Sequence, residues 1–191
     1  MGRHLDLGCG SIPRNPYQKD LVFGVDIRPG LGDNITSANL AIQPIPYPDG
    51  YFESVSAYDF LEHIPRVVVD VGSATTIFPF IQLMNEICRV LEPNGRFYAV
   101  TPAYPSHKVF VDPTHVNFIS KKTHEYFVGA SPLGRMYGFN GHFDVIRVQR
   151  IRPKHMYEPF NLSLRQKISA FSDLINFRRS HLIWEFSKQI T

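Results

Sequence analysis

The sequence predicts an α/β protein built on an open, mostly parallel sheet with an antiparallel strand near one edge. Three observations carry this: short apolar runs that stop at Gly, Asp or Pro, one stretch of helical periodicity between two such runs, and reactive residues clustered just after the runs end. At 191 residues the chain can build one core of ordinary size, and a second full domain is not expected. The expected division is a core over 1–152 and a basic, aromatic, helical C-terminal extension over 153–191.

In chain order, residues 4–7 read as a buried strand ending at Gly8, and Leu21–Val25 as a second ending in Asp26 and a turn through Gly30. Between them Pro13 and Pro16 leave room for little more than one helical turn. A brief strand is expected near Asn34–Ser37 and a longer one over Tyr51–Tyr58, with 59–65 as its exit loop. From Ile77 to Leu91, apolar residues at 77, 80, 81, 84, 87, 88 and 91 give the repeat of a helix with one buried face. Pro79 fits its first turn, and Asn94-Gly95 its stop. Phe97–Thr101 is a further strand closed by Pro102, and Phe143–Ile151 is expected as an antiparallel strand at or near the sheet edge. Beyond Asn161, helical spacing of Leu164, Ile168 and Phe171, and of Leu174, Phe177, His181, Trp184 and Lys188, predicts one or two packing helices.

The net charge of +3 hides an asymmetry: residues 1–146 hold 11 Lys+Arg against 14 Asp+Glu, and 147–191 hold 9 against 3. The basic tail suits a protein or anionic-surface contact as well as a solvated face. Only Cys9 and Cys88 are present, without metal-ligand spacing, so a disulfide scaffold is not expected and a reducing, cytoplasmic setting is. The start, MGRHLD, has no apolar signal core, and no run approaches 18 apolar residues, so no transmembrane segment is expected.

The stretch HLDLGCG at 4–10 places two glycines at a strand end, where a ligand can approach the main chain. Asp26 ends the next strand, 20 residues beyond Asp6, where a carboxylate can accept hydrogen bonds from ribose hydroxyls. Together they suggest a nucleoside-containing cofactor. A nicotinamide fingerprint is disfavoured, because Pro13 stands where its third glycine belongs and the following segment offers no helix to receive a pyrophosphate.

HLDLGCG resembles the glycine-rich motif of class I S-adenosylmethionine-dependent methyltransferases, a Rossmann-like family. The likeness continues through GVDI at 24–27, PYPDGYFESVSAYDFLEHI at 46–64 and CRVLEPNGRFYAVTP at 88–102, covering about the first 100 residues in the expected order. The resemblance implies S-adenosyl-L-methionine as cofactor. It places Asp6, Gly8, Cys9 and Gly10 at the cofactor turn, Asp26 and Ile27 at the ribose end, Asn39 and Leu40 at the adenine edge, and Asp59 near the methionine portion or pocket mouth. Members commonly have a helix before the first strand and a fuller one after the turn; here the first connection is a loop, as in a compact branch of the family.

Methyl transfer to a hydroxyl benefits from a base, and two histidines lie in exit loops: His63 in DFLEHIP and His115 in VDPTHVNF. His115 is the expected base, with Asp112 orienting it or binding a substrate hydroxyl, and His63 lining the acceptor pocket. DPTHVNF looks like a segment found after the fifth strand in some members that methylate sugars or related small molecules. Tyr98, Tyr104, His107 and Lys108 are further candidate acceptor contacts. Asp112, His115, Glu62 and His63 are of metal-binding type, but Asp-Pro-Thr-His is too short and generic to establish a site, so no metal is expected. The function expected is methyl transfer to a hydroxyl oxygen of a small molecule, a saccharide among the candidates. The alternatives are an RNA methyltransferase, from the basic tail, and a non-catalytic regulatory or partner-binding subunit.

Overall fold

In the computed structural model, residues 1–152, 168 and 179–189 are described. Four parallel strands form the heart of the sheet: β1 (Arg3–Leu7), β2 (Leu21–Asp26), β4 (Phe52–Tyr58) and β7 (Leu91–Pro102). The short β3 (Ile35–Ser37) extends it at one edge. At the other lie β8 (Phe143–Ile151) and β9 (His181–Lys188), giving the order β3-β2-β1-β4-β7-β9-β8. A separate hairpin, β5 (Val68–Asp70) with β6 (Thr75–Ile77), precedes the helix and had no clear signal in the sequence.

The helix α1 (Pro79–Val90) carries Pro at its first turn as expected and buries Phe80, Met84 and Ile87 on one face. It is shorter than the apolar repeat suggested. Leu91 is already extended and opens β7, while Asn94, with φ +63°, and Gly95 form a bend inside that strand rather than the helix stop.

Alternation along the strands splits the core in two. Leu5, Leu7, Val55, Ala57, Phe97 and Ala99 join the α1 side chains in the larger cluster. Tyr58, Tyr98 and Val100 belong to the smaller one, with Ile151 and Ile183 and with Tyr17 packed against it. Tyr98 is wholly buried there, edge-on to Tyr17, which corrects its expected place as an acceptor contact.

The far edge holds one expected feature and one correction. First, β8 is an edge strand and pairs antiparallel with β9; β9 also pairs antiparallel with β7, so β9 is the strand reversed against the rest of the sheet and β8 runs with the parallel set. Second, residues 181–188 are this strand and not part of a helical extension. Leu182, Ile183, Trp184 and Phe186 are all buried, and a strand covered on both faces reads as a continuous apolar run that periodicity cannot separate from a helix. Most of 153–178, where the remaining helical expectation falls, lies outside the described residues. Among the described residues no helix is long and apolar enough to cross a membrane.

Candidate cofactor and acceptor site

The turn after β1 is tied to the end of β2: the Gly8 and Cys9 N–H groups donate to the Val25 carbonyl at 2.8 and 3.3 Å. Gly8 and Gly10 both adopt φ +64°, the left-handed region that favours glycine. Their surroundings differ. A Cβ on Gly8 would lie 2.4 Å from the Phe60 ring, whereas one on Gly10 would meet only Arg28 Nη2, at 3.5 Å. Gly8 is therefore backed by packing and Gly10 presents the open side.

Asp26 turns back onto this turn. Its Oδ2 accepts the Gly10 N–H at 2.9 Å, and its Oδ1 accepts Arg28 N–H at 3.0 Å and Nε–H at 2.9 Å. Burial works against the charge, but these hydrogen bonds outweigh it and hold the carboxyl below its usual range. The Asp26 side chain is 8% exposed and Arg28 63%, so the carboxylate is fixed while its guanidinium partner reaches solvent. Ile27, next along, is 64% exposed.

The other residues expected near the cofactor fall into distinct settings. Asp6 is fully buried, with Oδ1 accepting the Ser56 hydroxyl at 2.6 Å and Oδ2 the Arg14 N–H at 2.8 Å, which pins the 11–20 loop to the sheet. Burial raises its carboxyl to about 6. Beside it, Ser56 has directed its proton to Asp6, so His4 Nε2 donates to Ser56 at 2.9 Å, and His4 Nδ1 accepts from Ser54 at 2.7 Å. Burial lowers His4 to about 3 and keeps it neutral. Cys9 Sγ donates to the Gly10 carbonyl and abuts Gly24, and burial first, then the charges of Asp6 and Asp26, push the thiol up to about 12. Asn39 closes its own turn, its Oδ1 accepting Ala41 N–H at 3.1 Å, and the Leu40 side chain is in the core. Asp59, at φ +47°, stands 3.4 Å from His181 Nε2.

A second group gathers beyond the ends of β4 and β7. Glu62 and His63 sit in the 3₁₀ turn Leu61–His63, and His115 in the loop after β7. The two segments are clipped together: Val116 and Asn117 N–H both donate to the Glu62 carbonyl at 2.9 Å, and Asn117 Nδ2 donates to the Leu61 carbonyl at 3.1 Å. Glu62, His63 and His115 present ligand-type atoms within 4.8 Å of one another. Their rings and carboxylate are held from behind. His115 Nδ1 donates to the Val109 carbonyl at 3.0 Å, leaving Nε2 as its lone-pair nitrogen. The Thr114 hydroxyl donates to Asp112 Oδ1 at 2.7 Å and so accepts from His63 Nδ1 at 3.0 Å.

Glu62 is 1% exposed; its Oε2 accepts the Thr101 hydroxyl at 2.9 Å while Oε1 has no hydrogen-bond partner. Burial pushes this carboxyl up to about 8. The expectation that Asp112 orients His115 is corrected. Asp112 Oδ2 lies 4.0 Å from Nε2, not at Nδ1, and its short contacts go to Thr114. Thr101, Thr114 and the Val109 carbonyl had no sequence signal of their own, and His181 was hidden in the run read as a helix. Nearby, Asn117 also lines a cavity of about 320 Å³ with Arg66, Phe78, Phe80, Tyr126 and Tyr137.

No family model matches the sequence, nor does any curated protein. Solved structures do match in fold. A chain of the complex between the Haloferax volcanii Trm112 methyltransferase activator and a methyltransferase superposes with TM-score 0.60 at 14% identity, over 99% of this chain and 83% of that one. A SAM-dependent methyltransferase from Archaeoglobus fulgidus gives 0.57 at 16% identity, over 98% and 86%. The [4+2]-cyclase SpnF gives 0.57 at 15% identity, over 100% and 75%. The fold is shared with S-adenosylmethionine-dependent methyltransferases of known structure, and the cyclase among these neighbours shows that the fold by itself does not name the reaction.

Proposed function

We propose that the protein transfers a methyl group from S-adenosyl-L-methionine to a hydroxyl oxygen of a small molecule. The observation that carries this is the direct contact between the open glycine turn and the strand-end carboxylate of Asp26, at the carboxyl edge of a parallel sheet where ligands bind in such folds. The residues present fit the cofactor: Gly10 leaves its Cβ direction open, Asp26 is held charged, and Arg28 can leave the carboxylate for solvent.

On this reading Gly8 and Gly10 admit the methionyl part to the main chain, and Asp26 accepts from the ribose hydroxyls with Ile27 beside it. Asp6 acts from beneath, holding the 11–20 loop in place. Asn39 and Leu40 would offer main chain to the adenine edge, and Asp59 would stand at the pocket mouth. When bound, the cofactor supplies a methyl group made electrophilic by its sulfonium.

The acceptor hydroxyl would be received by the group around His115. Val109 fixes the proton on Nδ1, so Nε2 is the atom able to take the hydroxyl proton as the new bond forms. His63, held by Thr114 and Asp112, would orient the acceptor, and the aromatic cavity beside Asn117 gives room for its ring or carbon skeleton. A saccharide is the acceptor class favoured here, because aromatic walls and a hydroxyl-seeking imidazole suit a polyhydroxylated ring. RNA methylation and a non-catalytic binding role draw on the basic C-terminal segment, most of which lies outside the described residues. The test is a mass-resolved search for labelled methyl acceptors in cell extract, using the purified protein and isotopically labelled cofactor. Labelled small hydroxylated products support the proposal. Label confined to RNA, or no label from protein that binds the cofactor, counts against it.

A further inference from the structure

The geometry points to a binding site for one first-row divalent metal ion, held by Glu62 Oε1, His63 Nε2 and His115 Nε2. The proposal stands on these residues alone and does not depend on the methyl-transfer reading.

The first ground is the donor set. Two imidazoles and one carboxylate on the same side of a cluster make a facial arrangement that leaves coordination positions open, and this mixture of N and O donors suits ions such as Zn²⁺, Co²⁺, Fe²⁺ and Mn²⁺. Ligand atoms sit about 2.0–2.2 Å from such an ion, which puts facial or tetrahedral pairs of them about 2.8–3.6 Å apart. Here Glu62 Oε1 and His115 Nε2 are 4.0 Å apart, and Glu62, His63 and His115 each offer a ligand-type atom within 4.8 Å of the others. That is wider than in a loaded site, too far for hydrogen bonds to one another and close enough to be drawn onto one ion by small side-chain rotations.

The second ground is the unpartnered oxygen. Glu62 is all but sealed from solvent, yet Oε1 accepts from nothing while aimed at His115. A buried polar atom without a partner is costly, and a cation gives this one its partner.

The third ground is what stands behind each ligand. Metal-binding histidines characteristically donate their far N–H to a carbonyl or carboxylate, which fixes the tautomer and the ring. His115 does so to the Val109 carbonyl, and His63 does so through the Thr114 hydroxyl to Asp112. Glu62 is fixed in the same way, its other oxygen taken by Thr101. Nδ1 of both histidines and Oε2 of Glu62 are thus occupied, which leaves the two Nε2 atoms and Oε1 for an ion.

An ion there engages the Nε2 lone pair that a general base needs. The metal-bound form would activate a hydroxyl by coordination, and the metal-free form by proton transfer to His115.

The test uses the full-length protein, stripped with chelator and freed of any affinity tag. Zn²⁺ binding is followed by calorimetry and Co²⁺ binding by its visible ligand-field absorption. One ion per chain is expected, with Co²⁺ bands of an N/O-ligated site. Glu62→Gln and His63→Ala should each weaken binding by about 10-fold or more, by the scale on which single contacts at metal sites act. His124→Ala, which alters a histidine bonded to the Lys121 carbonyl, should bind as the parent does. Failure of the parent protein to bind either ion at one per chain overturns the proposal. So does unchanged affinity in both ligand variants, each checked for native circular dichroism. His63 is only half-buried, so its variant tests the site even if Glu62→Gln does not fold.

Discussion

The main-chain N–H of Gly10 donates to Oδ2 of Asp26 at 2.9 Å, joining the turn after the first strand to the carboxylate that ends the second. Arg28 occupies the same carboxylate from the solvent side. If ribose hydroxyls bind there, Arg28 competes with them. Arg28→Ala should therefore keep or improve cofactor affinity, and calorimetry should show no loss; a clear loss would make Arg28 a cofactor contact.

The two glycines should fail differently when replaced. Gly8→Ala imposes left-handed backbone on a residue with a Cβ, costing about 1–2 kcal/mol, and drives that Cβ into Phe60. Its main effect should be a lowered denaturation midpoint. Gly10→Ala carries the same backbone cost without the clash, so its further effect should fall on cofactor affinity. Equal stability losses with equal binding would contradict the assignment of Gly10 to the open side.

Imidazole removal separates chemistry from binding. His115→Ala should reduce turnover by about 10²–10⁴ with cofactor affinity close to the parent's. His63→Ala should chiefly raise the acceptor KM. Single-turnover kinetics under conditions where chemistry limits the rate checks both, and unchanged turnover in His115→Ala would remove its role.

The buried pair beneath the site gives a pH signature. His4 is lowered to about 3 from its ordinary value near 6.5, so the stability it supports is complete above about 6.5 and is lost as pH falls toward 3. Asp6 is raised to about 6, so its contribution is present in acid and lost as pH rises through 6. His4→Gln removes only the first dependence. Between pH 7 and 4 the parent should lose roughly 3 kcal/mol relative to that variant. Urea midpoints measured across this range check it; a parent-to-variant difference that does not change with pH contradicts the assignment.

Trp184 tests the far edge of the sheet. It is fully buried, opposite Ala99 on one side and Val148 on the other. Trp184→Ala should cost about 3–5 kcal/mol and destabilise the whole domain. A separate, earlier transition that leaves the rest intact would instead mark this segment as an independent extension.

What the sequence made legible follows from local chemistry. The strand ends at Gly8 and Asp26 were readable because an apolar run stops abruptly at residues with special backbone or charge roles. The helix was readable from its period, including Pro79 at its start. The direction of β8 was not, since it depends on β9, a strand inserted between β7 and β8 that lies about 30 residues later in the chain. Nor was β9 itself, because burial on both faces erased the alternation that marks a strand. At the site, His63 and His115 stood out by residue type, but their joint orientation depends on Thr101, Thr114 and the Val109 carbonyl. Those groups are ordinary in sequence and acquire meaning only when the two loops meet.

Calorimetric titration of S-adenosylmethionine and its demethylated product into the parent protein and Asp26→Ala tests the proposed nucleoside site most directly. The expected result is one-site binding by the parent, weakened in the folded variant by about 1.5–3 kcal/mol for each charge-assisted hydrogen bond lost. Absence of binding by the parent, or equal affinity in the variant, would contradict it.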